Sequence, residues 1–346
     1  MRSPLKIVDI TEFYSERGGG VRSHLETRGR LLGSLGHDHV VIAPGPEGRV
    51  DPAAGASEAS GAGRIVRIAG RPLPYDPTYH LLARFDKVAS VLDQERPDVV
   101  EAHSPYLAAA GAIVAGRRRA RLVTSFWHAD HVGAYVEPAL ARAVGAQLAG
   151  AGASLLWRAV RALLAPFDAT FVAGATQARR LRAVGVSPVF HVPFGVDRSV
   201  FHPDAGAEIR EQLLGDRPGA ALLVGVGRLS VEKRWDVVLD AFARVSARRD
   251  AVLVLFGDGP ERGRLQARAA AGVRFVGFER DRARLASALA GADALVHGCE
   301  CETSGLGVLE AVACGLPVVV PDSGGALESA PPGSSAAYPG LDAGGC

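Results

Sequence analysis

The chain has 346 residues, 48% of them hydrophobic and 22% charged, with a formal net charge of +2. That length suits two α/β domains and the composition is that of an ordinary globular protein, while the near-balance of charge argues against a dedicated nucleic-acid binder. No run approaches the roughly 20 apolar residues that cross a bilayer, and Met1–Ile10 contains no apolar signal region.

Lys6–Ile10 reads as a buried first strand, followed by a Gly18-Gly19-Gly20 loop and a helix from about Val21 to Leu35 that Gly36 ends. His39–Ala43 is the next strand. This strand, glycine loop, helix, strand order opens a parallel doubly wound sheet. Gly45–Gly63, rich in Gly, Ala, Pro and Ser, is expected to be a surface loop. Further strands are predicted at Ile65–Ile68, Val99–Ala102, Leu122–Ser125, Thr170–Ala173 and Val189–Val192. Arg117-Arg118-Arg119-Ala120-Arg121 is read as a solvated helix end, with contact to anionic lipid headgroups as the alternative. Leu155–Leu164 is read as a core helix rather than an interfacial one. Pro193–Pro203 breaks regular structure and a fresh α/β series begins after it, so domains are expected over 1–195 and 196–346. The second series has strands near Leu222–Gly225, Val252–Gly257, Val273–Val276, Ala294–His297 and Pro317–Pro321, with helices such as Trp235–Arg248 and Arg282–Ala290 between them.

The motif with most chemical content is Glu302-Thr303-Ser304-Gly305-Leu306-Gly307-Val308-Leu309-Glu310. The first carboxylate lies in a loop and the second about a turn inside the following helix. Gly305 and Gly307 leave backbone N–H groups unobstructed at the helix start, where the dipole attracts phosphate, and Gly305 and Leu306 are the expected donor contacts. Carboxylates that accept from neutral hydroxyls beside such amides describe a nucleotide sugar better than a metal or a peptide. The plain alternative for Glu310 is a carboxylate that complements the helix dipole. Gly227-Arg228-Leu229-Ser230-Val231-Glu232-Lys233 follows a strand, and its planar guanidinium and compact ammonium together can neutralise a diphosphate. A solvated pair at a helix start is the alternative.

Glu302–Pro317, together with the Gly18-Gly19-Gly20 loop, the Arg228/Lys233 pair and the Gly195-Val196-Asp197 linker with Phe201-His202-Pro203 after it, resembles retaining glycosyltransferases of family four, with motifs in order across nearly the whole chain. The resemblance implies the GT-B fold, two Rossmann-like parallel-sheet domains facing a cleft. It implies that Arg228 and Lys233 grip the donor pyrophosphate, Glu302 the sugar hydroxyls and Glu310 the ribose. Gly19 and Gly20 would approach the donor phosphate or the acceptor, and the turns at Gly257-Asp258-Gly259 and Val276-Gly277-Phe278 would border the nucleobase. His128 and Asp130, in Phe126-Trp127-His128-Ala129-Asp130-His131, resemble the family's active-site pair, with zinc binding by that His/Asp/His run as a minor alternative. The sequence departs from the family at Thr303-Ser304, where Pro-Phe is common, and at Arg234, where Gly is.

Val21–Leu25 supplies no third spaced glycine, so a nicotinamide dehydrogenase is not expected. His297, Cys299 and Cys301 lack a second paired motif and are read as a packed strand end. No carboxylate nucleophile for double displacement stands out. The resemblance implies instead a front-face reaction in which the leaving phosphate helps to deprotonate the acceptor. No Asp-x-Asp motif occupies the expected place, so no divalent ion is expected. The expected function is transfer of a hexose, mannose or glucose first, from a GDP- or UDP-sugar to a lipid-linked or saccharide hydroxyl in cell-envelope synthesis. A non-catalytic nucleotide-sugar binder and a sugar epimerase of the same fold are the alternatives. Four cysteines without a paired framework suit a reducing cytoplasm, with peripheral attachment to the inner face of the membrane also open. The stop at Cys346 leads us to expect that the closing helices of such proteins are lacking.

Overall fold

The computed structural model describes residues 3–14, 19–52, 63–74, 76–130, 132–206 and 208–340. They form two compact units, the first running to Val192 apart from Gly133–Tyr135 and Gly174–Thr176, which group with the second, and the second beginning in the main at Pro193.

In the first unit the strands are β1 (Lys6–Ile10), β2 (Asp38–Gly45), β3 (Arg49–Pro52), β4 (Arg64–Ala69), β5 (Pro72–Leu73), β6 (Asp76–His80), β7 (Val99–Ala102), β8 (Leu122–Trp127), β9 (Ala169–Val172) and β10 (Val189–His191). Eight of them make one sheet in the order β10-β9-β8-β7-β1-β2-β4-β3, and β5 pairs with β6 separately. All neighbours in the large sheet run parallel except β3, which lies antiparallel on β4. Burial on both faces requires near-continuous apolar strands. Val8, Ile10, Val40, Ile42, Val100, Val123 and Val172 meet that requirement and build one core with Trp127 and Trp157.

The second unit adds β11 (Ala221–Val226), β12 (Ala251–Phe256), β13 (Val273–Gly277), β14 (Ala294–Val296), β15 (Val318–Pro321) and β16 (Ser335–Tyr338), ordered β13-β12-β11-β14-β15-β16 and parallel throughout. This is the doubly wound 3-2-1-4-5-6 order, which reverses direction between β11 and β14. The six residues of β12 are all buried, and alternate side chains serve opposite faces. Val252 and Val254 join the cluster with Leu222 and Val308, whereas Leu253 and Leu255 join Trp235 and Leu229.

One expectation needs correction. The segment read as a loop over Gly45–Gly63 contains β3, an edge strand with Val50 64% exposed and Pro52 at its end, where a missing N–H costs no ladder bond. Its remainder, 53–62, lies outside the described residues. The stretch after Pro331-Pro332 holds a strand that the sequence reading did not predict, β16, whose Tyr338 is buried and donates its hydroxyl to the His297 carbonyl at 2.8 Å.

Candidate functional site

Ligands of open parallel sheets bind outside the carboxyl ends of the strands where the order reverses. In the second unit the segments that leave those ends are Gly227–Lys233 after β11 and 297–305 after β14. Gly225 prepares the first: a Cβ there would stand 2.6 Å from the Trp235 ring. The bare backbone admits the indole, whose Nε1–H donates to the Arg228 carbonyl at 2.8 Å and so ties down the loop that carries the two cations. Gly298 permits the second segment to close in, since a Cβ there would lie 2.7 Å from the Arg234 carbonyl oxygen and 2.8 Å from that of Lys233. Arg234 itself sits at φ 49, in the left-handed region where glycine is at ease, and its guanidinium pairs with Asp236 at 3.0 Å.

This convergence joins Lys233 to Glu302: the ammonium donates to the carboxylate, and His297 Nε2 lies 3.5 Å from the same oxygen. The two side chains are only 20% and 19% exposed. Burial opposes both charges, yet each outweighs it for the other. Glu302 holds Lys233 above the ordinary lysine range, and Lys233 with His297 holds Glu302 below the carboxylate range. Burial pushes the neighbouring Cys299 thiol up, against the pull of Lys233. Both partners are therefore ionised at neutral pH.

Glu310 lies in the helix Leu306–Ala313, buried, and accepts from the Arg282 guanidinium. Burial raises its pKa and Arg282 counters it. Arg282 also stands 4.7 Å over the Phe201 ring. Gly305 caps that helix with no side chain, which leaves first-turn amides for an anion. Thr303 and Ser304 are buried beside it. Arg228 is half-buried, and Gly277, at φ 95, closes β13 with its carbonyl accepting from the Gly257 amide at 2.7 Å.

In the first unit Gly19 and Gly20 stand at the start of the helix Gly20–Ser34, while Gly18 lies outside the described residues. His128, just past β8, packs its ring on Phe126 at 4.5 Å and places Nε2 2.8 Å from Nδ1 of His103, which follows β7. His24, from the helix after β1, completes a cluster of three imidazoles. Burial, reinforced by His103, lowers His24 to about 3 and puts His128 well below the ordinary histidine range. Behind His103, Asp9 lies 3.2 Å from Nε2 and Glu101 3.4 Å. Asp130 has other partners: its carboxylate accepts from Arg180 at 2.7 Å and Gln177 at 3.1 Å. Arg180 also bonds Glu137 at 2.6 Å and lies 4.5 Å over the Trp157 ring. His131 lies outside the described residues.

The sequence reading did not single out Arg282, His24 or Arg180. Nothing in local spacing marks them, because each meets its partner only through strand order or helix placement. It considered His297 only as part of a packed strand end, and the residue is indeed buried there, but with its ring against Glu302.

Among known families, the chain matches the one described as "Glycosyl transferases group 1" over residues 220–339 and the one described as "Glycosyltransferase Family 4" over residues 18–200. It is 31% identical over 321 residues to a GDP-mannose-dependent alpha-(1-6)-phosphatidylinositol dimannoside mannosyltransferase of Mycobacterium tuberculosis, covering 91% of this chain and 79% of the relative. It is 28% identical over 329 residues to a GDP-mannose-dependent alpha-mannosyltransferase of Corynebacterium glutamicum, covering 94% and 74%. Among solved structures, sucrose-phosphate synthase of Thermosynechococcus elongatus matches with a TM-score of 0.74 at 19% identity, over 98% of this chain and 87% of that one. Anabaena HepE in complex with UDP and glucose matches with a TM-score of 0.73 at 18% identity, over 99% and 87%. At such identities the likeness to these two structures speaks for the fold alone. Among the described residues no helix is long and apolar enough to cross a membrane.

Proposed function

The chain belongs to glycosyltransferase family 4, and from that premise we propose that it moves mannose from GDP-mannose to a hydroxyl of a lipid-linked or saccharide acceptor, with retention at the anomeric carbon. It is a glycosyltransferase of the GT-B fold that uses a nucleotide sugar. The observation that carries the finer reading is the Lys233–Glu302 pair at the reversal point of the second sheet, beside a helix start with uncapped amides. The choice of GDP-mannose rests on the mannosyltransferase relatives.

In this reading Arg228, Lys233 and the amides of Gly305 and Leu306 hold the diphosphate and stabilise the charge that grows on it as the sugar–phosphate bond breaks. The acceptor oxygen attacks the anomeric carbon from the face that the phosphate leaves. Its proton passes to the departing phosphate oxygen, and GDP carries away the electron pair of the broken bond. Glu302, fixed as a carboxylate by Lys233, accepts from the mannose hydroxyls, and Glu310 from the ribose. Gly277 borders the base, and Gly19 and Gly20 approach the phosphate or the acceptor. His128 and Asp130 enter the proposal through the family resemblance. No divalent ion is needed, because fixed cations and amides do its work.

Calorimetric titration of the purified chain with GDP and with UDP, each with and without EDTA, tests the donor site. Saturable GDP binding at least tenfold tighter than UDP and indifferent to EDTA is expected. Binding of neither nucleotide, or binding that EDTA abolishes, would refute the proposal. The anomeric configuration of the product, read by NMR, tests retention.

A further inference from the structure

The imidazoles of His24, His103 and His128 each bring one ring nitrogen to within 4.8 Å of the others. They come from three separate places, the helix after β1 and the ends of β7 and β8, so the sheet itself holds the arrangement. We propose that these three residues form a binding site for a zinc-class divalent metal ion, which would leave a fourth position for water or an added ligand.

Two observations carry this beyond proximity. First, His103 Nδ1 faces His128 Nε2 at 2.8 Å, while His103 Nε2 faces Asp9 and Glu101 at 3.2 and 3.4 Å. Carboxylates this close favour a proton on the far nitrogen, the tautomer that leaves Nδ1 as the ligating atom. Second, charge favours a cation here. Asp9 and Glu101 place two carboxylates beneath the imidazoles against the single guanidinium of Arg28, 3.5 Å from Asp9 and paired to Glu101. Phe126 packs against the cluster, and the His39 ring bonds to Asp9 at 2.7 Å.

The same reasoning rejects two other groupings of donors. His297, Cys299 and Glu302 also converge, but the Lys233 ammonium already occupies that carboxylate. Asp9, Glu101 and His103 converge around Arg28, which fills the place of a metal ion.

The site stands independently of sugar transfer. If His128 also serves the transferred sugar, as the proposed function holds, bound zinc would engage that imidazole and inhibit transfer reversibly. Titration with Co(II), followed by its visible d–d absorption, and competition with Zn(II) test binding without any assay of activity. One tightly bound ion per chain is expected. Affinity should fall at least 100-fold in His24→Ala and in His103→Ala, and about 10–100-fold in Asp9→Asn. It should be unchanged in His297→Ala. His24→Gln, with circular dichroism of every variant, guards against loss through unfolding. Absence of binding by the wild-type chain, or binding that survives in folded His24→Ala, would overturn the proposal. Zinc that binds as described but leaves transfer untouched would uphold the site and refute the role of His128 in transfer.

Discussion

Substitution at the Lys233–Glu302 pair gives the sharpest reading of whether charge is fixed here as described. Removal of one member of a buried ion pair strands the other, at a cost of about 3–5 kcal/mol. With each side chain a fifth exposed and His297 still beside Glu302, the low end applies, so Lys233→Met and Glu302→Gln should each destabilise by about 3 kcal/mol. For a unit of this size that lowers Tm by roughly 6–12 °C. The double variant strands nothing, and its loss should fall short of the sum by about 2–3 kcal/mol, the coupling of residues in contact. Glu302's folded pKa lies below its unfolded value, so its contribution is complete above the ordinary carboxylate pKa of about 4.3 and is lost as pH falls. Lys233's lies above, so its contribution is complete below about 10.4 and is lost as pH rises. The stability gap between wild type and double variant should therefore be flat from about pH 5 to 10 and shrink outside it. Guanidinium unfolding across that range measures it. Additive single effects, or a gap that varies near neutrality, would refute the fixed-charge pair.

Transfer should fall at least tenfold in Lys233→Ala and in Glu302→Ala, and near-unchanged turnover in both would remove them from the donor site. Glu310→Gln should weaken GDP binding by about 10–100-fold, the worth of a hydrogen bond to a charged group, as read by calorimetry; unchanged affinity would leave Glu310 only its bond to Arg282. Gly225→Ala, which drives a methyl into the Trp235 ring, should cost about 1–3 kcal/mol of stability in guanidinium unfolding and weaken GDP binding through the displaced Arg228 loop. Arg180→Met should destabilise the first unit by about 3–5 kcal/mol, because it takes the guanidinium away from the Asp130 carboxylate, which is 4% exposed; loss below 1 kcal/mol would contradict that account.

Apolar runs made the sheets legible before any coordinates. Strands buried on both faces cannot alternate with polar residues, so Val252–Phe256 and Lys6–Ile10 announce themselves. β3 and β16 did not, because edge strands need only one neighbour and tolerate proline, arginine and serine. The acidic motif was legible for a related reason. Glu302 and Glu310 flank a glycine-bearing helix start, and that local chemistry survives in spacing alone. What spacing cannot carry is the meeting of Lys233 with Glu302, 69 residues apart, which depends on β14 lying beside β11. Arg282 reaches Glu310 across 28 residues by the same kind of tertiary placement. Past the end of β8 the limit shows again. His128 and Asp130 read as one motif, yet in irregular backbone the spacing of two residues fixes no direction, and His128 packs with His24 and His103 while Asp130 binds Arg180 and Gln177. A sheet order known in advance would have brought His103 and His128 together, since β7 and β8 are neighbours and both residues stand at the carboxyl ends. His24 would still have been missed, because the rotation of its helix is set by packing and not by the period of its sequence. Convergent imidazoles and carboxylates are thus the features of this chain that topology creates, and the metal titration probes that creation directly.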